Sequence, residues 1–336
     1  MRRHALAATA LCLLSCQPVD PYSLWQEQPN DVIVFMSRAD APEGELYLLD
    51  KENNVTRLTT DSRHENNPAL SPDGRRVAFQ AGDESDMTTW EIYVLDIATG
   101  AETRLTSNGV IDAHPDWSPS GDRIVFGSFR DASGNPAPAA DIWVMDTNGA
   151  NAAALSPGPW EDNDPEWSPD GSTIAFKSTR NSQLPAREEI FIMDSDGSSV
   201  RRLTTTSGWQ SDHDPSWSPS GEHIVFNRYE GTRPWTDITD PDTFRLRWRE
   251  LSPWNAHRAD LSGNVLRLSN VEHGGGLPTC SRDGTHVLFL RLDYILQDSV
   301  VVGAEHWFCL VEPDGSLPRR LIPADRHTPT LESYDW

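Results

Sequence analysis

Short runs of apolar, β-branched and aromatic residues recur along the chain, separated by polar stretches rich in Pro, Gly, Asp and Ser. Runs of about four to six residues bounded by turn residues are typical of β-strands, and no helical periodicity competes with them. Five of these runs end in Phe and occupy residues 75–79, 123–126, 173–176, 223–226 and 286–289. The pattern predicts an all-β protein.

A seven-residue phrase precedes each of these runs, as in Pro115-Asp-Trp-Ser-Pro-Ser-Gly121. Its copies begin at Pro68, Pro115, Pro165, Pro215 and Pro278, and a degraded copy begins at Pro329. The leading prolines are 47, 50, 50, 63 and 51 residues apart. Ser-Pro-Asp-Gly suits a tight turn because Pro presets φ, Asp caps its own backbone and Gly accepts a left-handed conformation. Each copy therefore predicts a first strand, a hairpin turn and a second strand.

Further strands follow within each repeat. Apolar runs that end in Asp predict third strands at residues 91–96, 141–146 and 189–194, and a turn then leads to a fourth strand, as at residues 201–204. Four antiparallel strands in about 50 residues are typical of a β-propeller blade. The N-terminal residues 31–59 supply strands two to four, and residues 329–336 supply a first strand. Joining them predicts a closed six-bladed propeller over residues 31–336, without exposed sheet edges.

The Trp-Ser-Pro-Asp-Gly phrase and the downstream Ile-Tyr-Val-Leu-Asp type of strand resemble the repeats of TolB-type propellers, which are related in shape to WD-repeat propellers. The resemblance covers nearly all of the chain after residue 30. It implies a propeller that is a binding scaffold, an accessory domain or, in a few cases, an enzyme. TolB-type proteins carry an α/β domain ahead of the propeller, whereas here residues 16–30 are all that separate the expected anchor from the first strand.

The N-terminus predicts a targeting segment. Arg2 and Arg3 precede an apolar stretch of about ten residues, which is too short for a membrane-spanning helix of roughly 20 residues. The sequence Leu13-Leu-Ser-Cys16 resembles the lipobox of bacterial lipoproteins, which implies cleavage before Cys16 and lipidation of its thiol. We expect a signal peptide at residues 1–15, an extended tether at 16–30, and a protein anchored on a membrane surface of the cell envelope. Gln17 is compatible with sorting to an outer membrane. The alternative is an ordinary secretory signal with an incidental cysteine.

Charge and cysteine content restrict the functional classes further. The 51 acidic and 28 basic residues give a net charge of −23, which disfavours nucleic-acid binding. Cys280 and Cys309 fall on the first and third strands of one predicted blade, two strand spacings apart, beyond the reach of a disulfide. We expect buried free thiols there. Repeated tryptophans are expected to pack between blades, at Trp117, Trp167 and Trp217.

Polar residues precede the repeat prolines, and repetition around a ring would gather them at one mouth of the central channel. The candidate binding residues in these segments are His64, Glu65, Asp112, His114, Asp162, Asp164, Asp212, His213, His273 and His327. Histidine and carboxylate groups can hold a divalent cation. Alternatively, these acids cap turns and satisfy backbone N–H groups, and no cofactor is needed. We expect no cofactor.

The 63-residue repeat contains an interruption over residues 228–258, between its second and third strands. The second half concentrates arginine and tryptophan, residue types that dominate binding hot spots and bind carboxylates. The candidate residues are Arg245, Arg247, Trp248, Arg249 and Trp254. They either contact a protein partner or an anionic glycan, or form an outer strand whose arginines pair with the chain's own acids.

Catalytic signatures are missing from the sequence: it has no Gly-x-Ser-x-Gly elbow, no phosphate-binding glycine loop and no His-Glu-x-x-His. We therefore expect a monomeric, lipid-anchored, non-enzymatic propeller that binds a protein, peptide or cell-wall component in the envelope. One alternative is a metal-assisted lyase or hydrolase that acts on acidic oligosaccharides at the channel mouth and is similar to oligogalacturonate lyases. Another is a purely structural spacer.

Overall fold

The computed structural model shows an all-β chain. The structure describes residues 17–18, 32–38, 43–50, 54–180, 187–231, 254–269, 275–281, 284–297, 300–316, 319–321 and 331–335. Within these residues no helix is long and apolar enough to cross a membrane.

The strands are short and follow the predicted repeat. Near the N-terminus lie β1 (Gln17–Pro18), β2 (Ile33–Ser37), β3 (Glu45–Leu49) and β4 (Val55–Arg57). Blade 1 contains β5 (His64–Leu70), β6 (Arg76–Asp83), β7 (Asp86–Asp96) and β8 (Glu102–Arg104). Blade 2 contains β9 (Asp112–Trp117), β10 (Arg123–Arg130), β11 (Pro136–Asp146) and β12 (Ala153–Ala154). Blade 3 contains β13 (Asp162–Trp167), β14 (Thr173–Ser178), β15 (Glu189–Asp194) and β16 (Arg201–Arg202).

The C-terminal half continues the series. Blade 4 contains β17 (Ser211–Trp217), β18 (His223–Tyr229), β19 (Trp254–Asp260) and β20 (Val265–Arg267). Blade 5 contains β21 (Gly275–Cys280), β22 (Val287–Gln297), β23 (Val300–Val311) and β24 (Arg319–Leu321), and β25 (Leu331–Asp335) follows. Neighbouring strands within every blade pair antiparallel. The prediction of four-stranded antiparallel blades is confirmed.

Two pairings bring the ends of the chain into sheets. Strand β25 pairs antiparallel with β2, with Val34 opposite Asp335, so that β25, β2, β3 and β4 form one sheet, here called the terminal sheet. Strand β1 pairs in parallel with β24, with Gln17 opposite Arg319. This fifth strand of blade 5 was not predicted from the sequence.

The repeated turns form as their residues predict. In blade 2, the N–H of Gly121 donates to the carbonyl of Ser118 over 2.8 Å, and Gly121 takes a φ of 71°. Ser118 also accepts the N–H of Arg123 on its hydroxyl at 3.0 Å. These bonds close the hairpin between β9 and β10.

The apolar core lies between adjacent blades. Trp117 of blade 2 packs with Ala78 and Ile92 of blade 1, and its indole N–H donates to the carbonyl of Ala69 at 3.0 Å. The indole of Trp217 makes the corresponding bond to Glu166 at 3.3 Å. All three repeat tryptophans are buried, as predicted.

Cysteine placement also follows the prediction for the part of the chain that the structure describes. Cys280 on β21 is buried and free. It lies opposite Val287 on β22, and the other side of β22 pairs with β23, where Cys309 lies opposite Phe289. Burial raises the pKa of the Cys280 thiol to about 12, so this thiol is protonated and unreactive at neutral pH.

The connections define two faces. We call the side with tight turns, such as residues 118–122 and 147–152 in blade 2, the turn face. The opposite side carries the second-to-third strand loops and the links between blades, such as residues 131–135 and 155–161, and we call it the variable face. Antiparallel pairing forces this segregation, because alternate connections must lie at opposite ends of a sheet.

Two predicted boundaries were wrong. The polar residues ahead of the prolines belong to the first strands and not to lead-in loops; β5, for example, begins at His64, four residues before Pro68. The interruption predicted at 228–258 is shorter, because strand β18 includes Arg228 and ends at Tyr229, and strand β19 begins at Trp254.

Candidate functional site

A cavity of about 160 Å³ lies on the axis around which the five blades are arranged. Its lining includes the residue immediately before the repeat proline of each blade. These residues are Asn67, His114, Asp164, Asp214 and Leu277. The polar groups among them face a cavity whose volume is close to that of a single large side chain.

Each of these five residues has a left-handed backbone, with φ between 48° and 53°. The cause is a β-bulge in every blade, where the pairing of first and second strands skips two residues, as between Asn163 and Glu166 in blade 3. Asn, Asp and His tolerate this conformation better than most residues, whereas Leu277 does not. The bulge turns these side chains toward the channel. Such strain is concentrated at functional sites in proteins.

An ion-pair network surrounds Lys177 on one side of the channel. Its Nζ lies 3.0 Å from Asp164 Oδ2 and 3.5 Å from Glu188 Oε1. His114 Nδ1 lies 3.0 Å from Asp164 Oδ1, and His213 Nε2 lies 2.8 Å from Glu188 Oε2. Both histidines therefore already have a carboxylate partner.

The network stabilises its own charged forms. Burial alone would raise the pKa of Asp164, but the charges of His114 and Lys177 outweigh it and lower the pKa to about 2. Burial opposes ionisation of Glu188 as well, and His213 and Lys177 lower its pKa to about 2. Burial would lower the pKa of Lys177, but Asp164 and Glu188 raise it above its ordinary value.

Asp214 behaves differently from Asp164. Burial and the negative charge of Asp164 raise its pKa, and Asn227 Nδ2 donates to its Oδ2 at 2.9 Å. Two carboxylates with opposite pKa shifts therefore line one cavity. The channel attracts a positively charged or hydrogen-bond-donating group.

The acids three residues before the prolines do not line the channel. Glu65, Asp112, Asp162 and Asp212 have no exposed surface. Asp112 accepts a hydrogen bond from Ser128, and Asp162 accepts one from Ser178 at 2.6 Å. The structure thus corrects the expectation that these acids form a mouth-lining ring. Strand alternation alone would put each acid on the same side as the residue two positions later, but the β-bulge at that later residue turns only the later side chain toward the channel. Their partners include side-chain hydroxyl and guanidinium groups, whereas the alternative expected turn caps and backbone N–H groups.

Asp212 shows how these acids hold elements together. Its carboxylate accepts hydrogen bonds from Arg228 Nε at 2.6 Å, from Arg228 Nη2 at 2.7 Å and from the Thr204 hydroxyl at 2.6 Å. Thr204 also accepts the N–H of Ile190 at 2.9 Å. We call this Thr204–Asp212–Arg228 arrangement the clasp; it links the end of blade 3 to the first two strands of blade 4.

Glu65 belongs to an acidic group that has the spacing of a metal site. Carboxylate oxygens of Asp61, Glu65 and Glu102 lie within 4.8 Å of one another. The Arg63 guanidinium binds both Asp61 and Glu102, the latter at 2.8 Å, and lies 3.9 Å from Glu65. A cationic side chain therefore already compensates these acids. Burial raises the pKa of Glu65 to about 8, although the hydrogen bond from Thr59 opposes this.

Several other predicted residues lie away from the channel cavity or outside the described residues. His64 is buried against Trp90, with ring centroids 5.3 Å apart. Trp254 begins β19 and is buried between His213 and Tyr229, at centroid distances of 4.7 and 5.5 Å. The candidates outside the described residues are Cys16, Arg245, Arg247, Trp248, Arg249, His273 and His327.

Four important residues were missed by the sequence analysis. Asn67, Asp214 and Leu277 occupy the position before the proline, as the predicted His114 and Asp164 do, so the repeat alone could have identified them. Lys177 follows the Phe that ends the apolar run of the second strand in each repeat. The same position holds an uncharged residue in three other blades: Gln80, Gly127 and Asn227. The ion pairs of Lys177 with other segments required the three-dimensional arrangement.

A second cavity, of about 500 Å³, lies in blade 1 beside the link to blade 2. Arg63 stacks over the Tyr93 ring at 4.5 Å, and Arg104 lies 6.0 Å from the same ring. Arg104 also pairs with Glu91 at 2.8 Å. The cations of this cavity are thus bound to the chain's own groups.

Consecutive four-stranded antiparallel blades around a polar channel define the class of the protein as a β-propeller. The chain belongs to the TolB beta propeller domain family, which it matches over residues 33–240, more than half of its length. Among the solved structures it is similar to TolB from Acinetobacter baumannii, with a TM-score of 0.63 and 18% identity over 90% of this chain and 66% of that one. An oligogalacturonate lyase in complex with manganese has the same fold, with a TM-score of 0.54 and 16% identity over 89% of this chain and 75% of that one.

Two curated relatives are similar over shorter stretches. An uncharacterized protein of Agrobacterium fabrum is 32% identical over 114 residues, 33% of this chain and 38% of that protein. The Tol-Pal system protein TolB of Alcanivorax borkumensis is 29% identical over 99 residues, 29% of this chain and 22% of that protein. The chain spans well under half of the length of the curated relatives that it matches.

Proposed function

We propose that this protein is a lipid-anchored propeller of the cell envelope that binds a protein, peptide or cell-wall partner without catalysing a reaction. Its variable face and the polar channel form the binding surface. The observation that carries the proposal is the channel cavity of about 160 Å³, whose lining includes the residue before the proline of each blade: one Asn, one His, two Asp and one Leu. Small-molecule sites enclose about 300–1,000 Å³, so this cavity suits one inserted side chain better than an oligosaccharide.

The ion-pair network supports binding over metal-assisted catalysis. His114 and His213 each contact a carboxylate, and Lys177 places a positive charge where a cation would otherwise balance Asp164 and Glu188. A metal ion would have to displace an ammonium group that two acids hold. We therefore propose a channel without a resident metal.

Ring closure and anchoring complete the proposal. We propose that the terminal sheet is a sixth blade that closes the ring, supported by the pairing of β25 with β2. Lipidation at Cys16 would then hold the propeller at the membrane, and the Tol-Pal name of a relative is consistent with a role in the envelope. The protein is proposed to be a monomer.

The test of binding uses a photo-crosslinking amino acid at exposed positions of similar hydrophobicity on the two faces. Trp160 and Trp209 are 37% and 38% exposed on the variable face, and Val200 and Leu261 are 37% and 39% exposed on the turn face. We expect discrete adducts of one partner, identified by mass spectrometry, from Trp160 and Trp209 only. Equal adducts from both faces, or none from either, would contradict the proposal.

Catalysis is tested separately with polygalacturonate, with and without Mn²⁺, by following the unsaturated product. We expect no turnover. Turnover that His114→Ala abolishes would replace the scaffold with a lyase.

Anchoring is tested with Cys16→Ser in the host cell. We expect the variant to move from the membrane fraction to the soluble fraction and to lack the acyl mass. An unchanged membrane fraction would contradict lipidation.

A further inference from the structure

An ion pair between a buried acid and a partly exposed arginine recurs at the rim of the blades. An acid on the third strand, directly before its buried apolar run, pairs with an arginine on the fourth strand in the terminal sheet, in blade 1 and in blade 3. The pairs are Glu45–Arg57 at 2.6 Å, Glu91–Arg104 at 2.8 Å and Glu189–Arg202 at 3.2 Å. In blade 4, Asn255 replaces the acid, and Arg267 pairs with Glu230 at 3.4 Å.

Blade 2 departs from this pattern. Its third-strand acid is Asp141, and the register places Ala154 at the position of the arginine. Ala154 lies opposite Trp143, just as Arg104 lies opposite Tyr93 and Arg202 opposite Phe191. Blade 2 therefore lacks the arginine side chain, and its acid is one methylene shorter than the glutamates.

Asp141 consequently has an incomplete set of partners among the described residues. It is 4% exposed and accepts one hydrogen bond, from the N–H of Gly158 at 3.2 Å. Glu91 accepts the equivalent N–H, from Asn108 at 3.0 Å, in addition to its arginine. The nearby Arg180 does not replace the missing cation, because its guanidinium binds Asp162 at 2.5 Å.

The space beside Asp141 opens to solvent on the variable face. Ala154 is half-buried, and Gly158, Pro159 and Trp160 are exposed. Trp160 lies against Gly158, and Arg180 stacks over its ring at 4.6 Å. We call the space between Asp141, Ala154 and Gly158 the Asp141 cleft. The arginines at the equivalent position in the terminal sheet and in blades 1 and 3 are 32%, 46% and 41% exposed, so the position that Ala154 leaves open lies at the protein surface.

The other sheets show which group fits. In the terminal sheet and in blades 1 and 4, the fourth-strand arginine also donates from Nε to a backbone carbonyl two residues further on: Thr59 at 2.8 Å, Thr106 at 2.7 Å and Ser269 at 2.8 Å. The corresponding carbonyl in blade 2 belongs to Ser156, which Arg180 reaches only at 3.4 Å. A planar guanidinium can bridge a carboxylate and a carbonyl, whereas the single nitrogen of a lysine ammonium cannot span both.

We propose that the Asp141 cleft binds the guanidinium group of an arginine from a protein or peptide partner. The partner's arginine would take the place that Arg104 takes in blade 1. The choice of a protein partner rests on the proposed scaffold function, but the cleft and the channel share no residues. A negative result at the Asp141 cleft therefore does not count against binding at the channel, and the reverse also holds.

The experiment measures binding of acetyl-Gly-Arg-Gly-amide by isothermal titration calorimetry at low ionic strength, with the lysine and citrulline tripeptides and free L-arginine as comparisons. Ala154→Arg supplies the missing side chain from within the chain, and Asp141→Asn removes the acceptor charge. Matched controls are Ala153→Arg on the adjacent exposed residue and Asp196→Asn at an exposed turn, which change the net charge equally.

We expect one site for the arginine peptide on the wild type and on both controls. Ala154→Arg and Asp141→Asn should each weaken it at least about tenfold, and the lysine and citrulline peptides should bind the wild type at least about tenfold more weakly. Equal binding to all five proteins, or none to the wild type, would overturn the proposal. Free L-arginine that binds more tightly than the peptide would overturn the assignment to a peptide partner. Melting temperatures of Asp141→Asn and Ala154→Arg at or above that of the wild type would show that both variants fold.

Discussion

Lys177 is the residue on which the channel network depends. Its ammonium contacts two buried carboxylates that belong to different strands or loops, Asp164 on β13 and Glu188 just before β15. Removing the lysine leaves two buried carboxylates with only their histidines, His114 and His213, as ion-pair partners, which is costly. The same ammonium limits the cations that the channel accepts from outside.

The first prediction concerns this lysine. Lys177→Met should lower the free energy of unfolding by about 3–5 kcal/mol, because Asp164 and Glu188 stay buried and lose the ammonium that they share, keeping only their histidines as ion-pair partners. Urea denaturation at pH 7 measures it. The double variant Lys177→Met/Glu188→Gln should be less destabilised than the two single effects added together, and full additivity would contradict the coupling.

Glu65 gives a prediction on pH. Its folded-state pKa of about 8 exceeds the ordinary value of 4.5, so the folded protein holds a proton there that the unfolded chain releases. Stability must therefore fall as the pH rises from about 4.5 to about 8. Glu65→Gln keeps an acceptor for the Thr59 hydroxyl and removes the titration.

The measurement compares melting temperatures of the wild type and Glu65→Gln between pH 5 and pH 8. The variant should gain on the wild type steadily as the pH rises. A difference that stays constant across this range would show that Glu65 titrates normally.

At the scale of strands, side-chain hydroxyls form hydrogen bonds that connect neighbouring strands. A Thr or Ser after the fourth strand accepts a backbone N–H from the third strand of the same sheet in the terminal sheet and in blades 1 to 4. The residues are Thr59, Thr106, Ser156, Thr204 and Ser269, at 2.8 to 2.9 Å. Thr59 and Thr204 also donate to the buried acid of the following first strand. These bonds give the buried carboxylates of Glu65 and Asp212 a hydrogen-bond donor.

The clasp supplies a prediction at this scale. Thr204→Val keeps the shape of the side chain but leaves the N–H of Ile190 and one oxygen of Asp212 without this partner, so the protein should lose about 1–3 kcal/mol of stability. Thr205→Val, on the exposed neighbour, is the control and should change little. Chemical denaturation of both variants decides the matter, and equal losses would refute the role of the clasp.

The strand pattern could be predicted from the sequence because apolar runs and Ser-Pro-Asp-Gly turns are local signals. Second strands β10, β14 and β18 begin where their apolar runs begin. The bulge before each proline has no local apolar signature. The sequence therefore did not predict that the residue directly before the proline lines the channel while the acid two positions earlier is buried. His114 and Asp164 line the channel cavity, whereas Asp112 and Asp162, two residues earlier, are buried.

For the whole molecule, the pairing of β25 with β2 joins segments nearly 300 residues apart in the sequence. If the terminal sheet closes the ring, the entire propeller depends on this pairing. Deleting residues 329–336 should then lower the melting temperature by about 10 °C or more in a single transition. Removal of Trp336 alone is the control, and an unchanged melting temperature after the longer deletion would exclude closure.

The charge of the whole molecule agrees with a binding role for the variable face. The net charge of −23 and the paired carboxylates of the channel favour a partner that presents cationic or hydrogen-bond-donating groups. The Asp141 cleft on the same face would add one specific contact to this general attraction.

The central claim is that a partner covers the variable face in the cell envelope, and thiol labelling tests it directly. Trp160→Cys and Trp209→Cys report on this face, and Leu261→Cys reports on the turn face; each is labelled with a maleimide in the purified protein and in isolated envelopes. The account predicts that all three cysteines react when purified, and that only Leu261→Cys reacts fully in envelopes. Equal labelling of the three cysteines in envelopes would contradict it.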